Sequence, residues 1–256
     1  MSVSAEPQTV VECGGHHFYC RNREEFERIC QDVFAGHEYQ FQMRQRSPFI
    51  IDAGAHVGVA THYFKHHYPR ARVLALEANP VTFDLLQKNV SHNGLDNVRT
   101  MQAALAPEAG EITFYASASD EEPGAWGDSA IRQPWHEGEA TAEVTVPAVT
   151  LSSLLTEPVD LVKLDIEGLE TAVLEEAAPK LSLVRRVVLE FHGTERNRDN
   201  DIGRLTEILR GAGLTPEVRQ FGAVVSLAGI QKDEPYWLMV RAERLNPWQR
   251  LRRVFG

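Results

Sequence analysis

Phe49-Ile50-Ile51-Asp52-Ala53-Gly54-Ala55-His56-Val57-Gly58-Val59-Ala60-Thr61-His62-Tyr63-Phe64 changes its hydrophobic period partway along. Phe49 to Ile51 is a short apolar, β-branched run of the kind that forms a strand buried on both faces. Asp52 ends it, Gly54 and Gly58 follow, and Val59, Tyr63 and Phe64 then recur at the spacing of one helix face. Strand, glycine turn and helix N-terminus in succession let the backbone approach a ligand closely and aim N–H groups at it. The spacing D-x-G-x-x-x-G is not the dinucleotide fingerprint G-x-G-x-x-G, and the G-K-[ST] of a phosphate loop is absent.

Working outward, Arg72 to Glu77 (RVLALE) is a second buried strand that also ends in an acid. Glu77 lies 25 positions after Asp52, the usual distance for a carboxylate that accepts hydrogen bonds from both ribose hydroxyls of an adenosine-containing cofactor. Asn79-Pro80 turns the chain into a helix over Phe83–Asn89, which Asn93-Gly94 stops. Strands are predicted at Val98–Ala104, Ile112–Tyr115 and Glu143–Val149, with a short helix from Thr150 to Leu155. Between them, Ser117 to Thr141 is polar, acidic and rich in Gly and Pro, and its Trp126 and Trp135 favour a binding loop.

Val159 to Glu170 (VDLVKLDIEGLE) is the second segment that carries chemistry. Its apolar strand delivers Asp165 to the carboxyl edge of the sheet, where ligands of open α/β sheets bind. Glu167 and Glu170 flank Gly168 at a helix start, and acids there are already favoured by the helix dipole. Val184 to Phe191 brings Glu190 and His192 to the same edge. A helix over Ile202–Gly211 and strands over Leu214–Phe221, Val224–Leu227 and Tyr236–Ala242 complete the chain. Upstream, Val10–Cys20 reads as an edge strand turning at Gly14-Gly15, followed by an amphipathic helix over Arg23–Phe34 that Gly36 ends. Strands alternating with helices, closed by a hairpin-like pair, define an α/β, doubly wound, mostly parallel sheet whose last strand is antiparallel.

Length and composition bound the function. The 256 residues suit one large domain, and 43% hydrophobic content supports a sizeable core. We divide the chain into a cap or lid segment (1–45), the main domain (46–245) and a basic tail (246–256) holding Arg250, Arg252 and Arg253. A net charge of −10 argues against a nucleic-acid partner. No apolar run reaches membrane-spanning length, and the N-terminus lacks a signal-peptide pattern, so a cytoplasmic location is expected. The three cysteines, Cys13, Cys20 and Cys30, read as unpaired thiols in a reducing compartment. His62 and His66 are spaced i, i+4 without H-E-x-x-H, and read as a solvated or partly packed histidine face rather than a zinc site.

Four segments resemble the FkbM-type S-adenosylmethionine-dependent methyltransferases: Ile51–Gly58, Leu76–Pro80, the Ser129 region leading to Val149-Thr150-Leu151, and Lys163–Glu170, which follows the pattern K-[IL]-D-[VI]-E-G-x-E. His56 stands where asparagine is common in that family, and Ala78 where proline is common. The resemblance implies a class I methyltransferase fold, Rossmann-like, with seven strands, and O-methylation of a hydroxyl on a sugar or natural-product small molecule such as a polyketide or macrolide. It implies that Asp52, Gly54, Ala55, His56 and Gly58 hold the methionine part of S-adenosyl-L-methionine, and Glu77 with neighbouring Ala78 and Asn79 the ribose. Gln102, Ala103 and Ala104 would frame the adenine, and Asp165 would lie near the sulfonium.

Asp165, Glu167 and His192 are the candidate bases for the acceptor hydroxyl, with His192 best suited to titrate near neutrality. A magnesium ion on Asp165, Glu167, Glu190 and His192 is compatible with the donors but not favoured, because the catechol-type D-x-x-x-D-N is absent. Other readings are methylation of a peptide or protein-bound acceptor, a non-catalytic partner-binding module, and an NAD-dependent oxidoreductase, the last opposed by the missing fingerprint. A homo-oligomer is compatible with the sequence. Acceptor specificity is expected in residues 1–45 and 117–141.

Overall fold

A computed structural model describes residues 9–43, 45–117, 129–130 and 141–245. Trp126, Trp135 and the basic tail lie outside the described residues. The elements run β1 (Thr9–Cys13), β2 (His16–Cys20), α1 (Arg23–Cys30, extended by a π-helical turn over Gln31–Ala35), β3 (Phe49–Ala53), α2 (Val59–His67), β4 (Arg72–Glu77), α3 (Pro80–His92) and β5 (Val98–Gln102). They continue β6 (Ala104–Leu105), β7 (Gly110–Ser117), β8 (Thr141–Val149), α4 (Leu151–Leu154), β9 (Leu161–Leu164), α5 (Glu170–Ala177), β10 (Arg186–Gly193), α6 (Ile202–Gly211), β11 (Thr215–Gln220), β12 (Ala223–Val224) and β13 (Tyr236–Glu243).

The central sheet has the order β12-β11-β13-β10-β9-β3-β4-β5. β5, β4, β3, β9 and β10 are mutually parallel, and β13 pairs antiparallel with both β10 and β11. The antiparallel last strand is as the sequence predicts. The eighth strand is the two-residue β12, and the expected Val224–Leu227 strand ends at Val224 before a 3₁₀ turn. From β3 the chain moves outward through β4 and β5, then returns to lay β9 on the other side of β3. This reversal opens a crevice at the carboxyl ends of β3 and β9, where doubly wound sheets bind ligands.

Alternation along β3 feeds two cores. Ile50 faces Val73, Tyr63, Phe64 and Leu86 on the side of α2 and α3, while Ile51 and Ala53 join Val162, Leu164, Val173, Leu205 and Leu209 on the side of α5 and α6. Asn79 caps α3 by accepting from Val81 N (2.8 Å), with Pro80 at the first helical position, where its missing N–H costs nothing. The predicted Val98–Ala104 strand breaks at Ala103: β6 leaves the central sheet and joins β7 and β8 in a separate three-stranded sheet.

The N-terminal segment is tied to the same core. Phe18, Phe26, Val33 and Tyr39 are buried with α2 and α3. The fully buried Asn89 of α3 accepts from Tyr19 N (2.7 Å) and donates to Tyr19 O (3.1 Å) and Val57 O (2.8 Å), joining the β1–β2 hairpin to the glycine turn. A disulfide links Cys13 to Cys30, which corrects the expectation of three unpaired thiols; Cys20 is the free, buried cysteine. Spacing in sequence does not reveal this pair, because only the packing of α1 on the hairpin brings the two sulfurs together. No helix among the described residues is long and apolar enough to cross a membrane.

Candidate active site

The glycine turn after β3 has its backbone conformation for steric reasons. Gly54 has φ +72°, and a Cβ there would stand 1.7 Å from Asp165 O. His56 follows with φ +51°, a left-handed conformation in which Asn and His are both enriched among non-glycine residues. A histidine in place of the family's asparagine therefore keeps the turn. His56 N donates to Glu77 Oε2 (2.9 Å) and Asn79 N to Glu77 Oε1 (2.9 Å), so two backbone amides fix the carboxylate. Gly58, with φ +97°, starts α2 without a side-chain cap.

A cleft lies over this turn, lined by Gly54, Ala55, His56, Glu77, Ala78, Ala103, Ala104, Asp165 and Glu167, among others. These are residues the sequence nominated. The N-terminal segment adds Ile29, Asp32, Val33, Glu38 and Tyr39, and the three-stranded sheet adds Phe114. Four nominated residues, Asp52, Gly58, Asn79 and Gln102, do not line the cleft. Asp52 is fully buried beneath the turn, where Oδ2 accepts from Thr61 Oγ1 (2.6 Å), and Asn79 is used as a helix cap. His192 is 2% exposed and also does not line the cleft, whereas Glu190 does.

Lys163 is the residue that sequence reasoning left without a role. Parallel register sets it opposite Asp52 on β3. Its buried ammonium donates to Gly54 O (2.6 Å) and stands 3.5 Å from Asp52 Oδ1 and 3.3 Å from Asp165 Oδ2. Burial alone would lower its pKa, but the Asp165 and Asp52 carboxylates outweigh that and hold it above the ordinary lysine value. Its place in the K-L-D-I-E-G motif was the available signal: a lysine inside an otherwise apolar buried strand needs a charged partner.

Acids converge beyond it. His192 Nδ1 donates to the fully buried Glu170 Oε1 (3.0 Å), and Nε2 stands 3.5 Å from Glu167 Oε2, 3.7 Å from Asp165 Oδ1 and 4.0 Å from Glu190 Oε1. Burial acts to lower the imidazole pKa, but Glu167, Glu170 and Glu190 raise it well above its ordinary value. The expectation that His192 titrates near neutrality is thereby corrected: the surrounding carboxylates favour its charged form. Burial, then the Asp165 charge, push Glu190 up to about 8, and burial with Asp165 pushes Glu38 up to about 7. Glu167 itself has φ +56°, and its carbonyl accepts from Ser129 Oγ (2.6 Å). His62 and His66 part ways: His62 is fully buried between α2 and α3, bonding Gly58 O through Nδ1 (2.7 Å), and His66 is exposed.

A groove next to the cleft shares Asp32, Glu38 and Glu190 with it and runs under Phe221 and Trp237, which are 84% and 47% exposed. Sequence reasoning did not single out either aromatic, since an isolated apolar residue at a strand end carries no pattern.

The sheet order, with its antiparallel last strand, is that of the class I, Rossmann-like methyltransferase fold. The methyltransferase FkbM domain model matches residues 52–221, and the chain belongs to that family. It is 30% identical over 220 residues to methyltransferase sdnD of Sordaria araneosa, covering 74% of this chain and 83% of that one. It is 25% identical over 164 residues to the 2-O-methyltransferase NoeI of Sinorhizobium fredii, covering 60% and 67%. The crystal structure of an FkbM methyltransferase from Methylobacillus flagellatus superposes with a TM-score of 0.50 at 14% identity, over 78% of this chain and 45% of that one, a likeness of fold.

Proposed function

We propose that this chain uses S-adenosyl-L-methionine to methylate a hydroxyl of a small molecule, a sugar or natural product. The observation that carries the reading is one cleft bringing together the Gly54–His56 turn, Glu77 held by two backbone amides, Ala103, and the Asp165–Glu167 acids. In this reading the turn receives the methionine part, Glu77 accepts from the ribose hydroxyls, and Ala78, Ala103 and Ala104 border the adenine. Asp52, Gly58 and Asn79 act from beneath by shaping the turn and starting α3. That a relative is named a 2-O-methyltransferase supports oxygen as the acceptor atom.

The chemistry is an in-line displacement. The acceptor oxygen attacks the sulfonium methyl carbon, the carbon–sulfur bond breaks, and S-adenosylhomocysteine leaves with the electron pair. Alignment of the two reactants is worth up to ~7–11 kcal/mol, so the protein's main tasks are to orient the acceptor and exclude water. The hydroxyl proton passes to a carboxylate at the cleft wall. Asp165 and Glu167 line the cleft and are our candidate bases; His192, set behind them, positions their oxygens. The described part of the 1–45 segment serves as a cap, since Ile29, Asp32, Val33, Glu38 and Tyr39 supply one cleft wall. The reading includes a cytoplasmic location, and the Cys13–Cys30 disulfide is the observation that weighs against it, because such bonds are rare in reducing compartments.

Calorimetric titration with S-adenosylhomocysteine tests the proposal. Micromolar binding by the wild type, weakened at least ~10-fold by Glu77→Ala (about 1.4 kcal/mol), is expected, and methyl transfer to a panel of free and aryl glycosides then identifies the acceptor. A folded wild type that does not bind S-adenosylhomocysteine overturns it.

A further inference from the structure

His192 has an arrangement that methyl transfer alone does not require. Its ring is locked from behind: Nδ1 donates to Glu170 Oε1, and Glu170 is anchored in turn by Gly168 N on Oε1 (3.0 Å) and Asn200 Nδ2 on Oε2 (2.5 Å). Asn200 also donates to His192 O (2.9 Å), so one side chain fixes both partners. A buried carboxylate that orients an imidazole through one nitrogen and leaves the other facing oxygen donors is the usual outer support of a metal-binding histidine.

The donors in front fit that role. One ligand atom each from Asp165, Glu190 and His192 lies within 4.8 Å of the others, and Nε2 stands 3.7 Å from Asp165 Oδ1 and 4.0 Å from Glu190 Oε1. Around an octahedral ion with bonds of about 2.1 Å, adjacent ligands are about 3.0 Å apart and opposite ones about 4.2 Å. The two separations from Nε2, 3.7 and 4.0 Å, lie between these values. Charge points the same way. The carboxylates of Asp165, Glu167, Glu190 and Glu38 converge on a region whose nearby cationic side chains, among the described residues, include Lys163, His192 and Arg241; Lys163 is already shared with Asp52, and Arg241 acts on Glu38. Asp165 and Glu190 both line the cofactor cleft, and Glu190 also lines the groove under Trp237, so an ion here would sit where the two spaces meet.

We propose that Asp165, Glu190 and His192 bind a divalent first-row cation, with Glu170 and Asn200 as its outer support. The nitrogen donor favours a first-row ion over magnesium, which takes oxygen ligands almost exclusively. Bound there, the ion would hold the acceptor oxygen and lower the pKa of its hydroxyl. The inference extends the methyl-transfer reading of the same site, and its test uses neither cofactor nor acceptor, so the two fail separately.

The experiment is titration of chelator-treated full-length protein with Mn²⁺, followed by loss of the free-ion electron paramagnetic resonance signal. Exposed His66 and His67 offer surface sites to zinc, which makes manganese the better probe. One site of micromolar affinity is expected, with ¹⁴N modulation of the Mn²⁺ spin echo that disappears in His192→Gln. Glu190→Gln should weaken binding at least ~10-fold, and Glu170→Gln, which removes no ligand, ~10–100-fold. If His192→Gln does not fold, Glu190→Gln, isosteric and partly exposed, carries the test. Folded wild type that binds Mn²⁺ no more tightly than ~1 mM, or binding that Glu190→Gln leaves unchanged, overturns the proposal. Mn²⁺ binding in a protein that ignores S-adenosylhomocysteine would sustain the metal site and sink the methyl-transfer reading.

Discussion

Replacing Lys163 by methionine keeps the volume of the side chain and removes its charge, which isolates what the ammonium does. Lys163 is 2% exposed, and the Asp52 it faces is 0% exposed. Removing one partner of a buried ion pair typically costs ~3–5 kcal/mol, because the other charge is left in a poorly solvating interior. Asp165 is 21% exposed and can recruit water, so most of the loss is assigned to Asp52. For a chain of this size each kcal/mol corresponds to about 2–4 °C, and Lys163→Met should lower the melting temperature by roughly 10 °C. The remedy is specific. Asp52→Asn in the same chain removes the stranded charge and still offers Thr61 a carbonyl oxygen, so the double variant should recover at least ~1 kcal/mol over Lys163→Met alone. Urea denaturation of the four proteins measures the cycle. Because Lys163 Nζ also anchors Gly54 O, S-adenosylhomocysteine affinity should fall in Lys163→Met and stay low in the double variant. A loss below ~1 kcal/mol in Lys163→Met, or a double variant no more stable than the single, would refute the pairing logic.

Gly54→Ala would drive a methyl into Asp165 O and force a strained left-handed φ, so a destabilisation of ~1–3 kcal/mol and at least ~10-fold weaker S-adenosylhomocysteine binding are expected by thermal melts and calorimetry. Burial holds His62 near a pKa of about 4 against 6.5 unfolded, so it folds as the neutral imidazole. Its contribution is present above pH 6.5 and is lost as the pH falls through the window from 6.5 to about 4. Between pH 6.5 and 5 the wild type should lose roughly 1.5 kcal/mol more than His62→Gln in urea titrations, and equal slopes would exclude the group. Closing the 17-residue span between Cys13 and Cys30 should contribute ~3 kcal/mol, so thiol reduction is expected to lower the melting temperature while Cys30→Ser becomes insensitive to it.

What the sequence disclosed and what it hid follow from the range of the interactions. The glycine turn, the acid ending each strand and the antiparallel close are local patterns, and β3, β4, β9, β10 and β13 appear where those patterns predict. Gly54, His56, Glu77, Ala103, Asp165 and Glu167 reach one cleft because all lie at strand ends of one sheet edge. The misses depend on partners distant in sequence. Ala103 splits a predicted strand because β6 finds β8, more than forty residues on. Cys13 meets Cys30 only after α1 packs on the hairpin. Asp52, nominated with the turn, lies beneath it because parallel register sets it against Lys163.

His192 shows this dependence on distant partners most fully. Read along the chain, an imidazole after Glu190 at a strand end looks like a base poised for neutral pH. Its properties are set by groups on other segments: Glu170 and Asn200 behind it, Asp165 and Glu167 in front. Each carboxylate added to that ring favours its bound proton, or an ion in the proton's place, and makes it a poorer acceptor from substrate. In the proposed reaction, proton removal would therefore fall to the carboxylates that line the cleft, with the histidine fixing where their oxygens point. Burial and the same crowding explain why Glu190 and Glu38 hold their protons more tightly than ordinary carboxylates, since ionising every acid beside Lys163, His192 and Arg241 would leave negative charge undercompensated in a half-buried site.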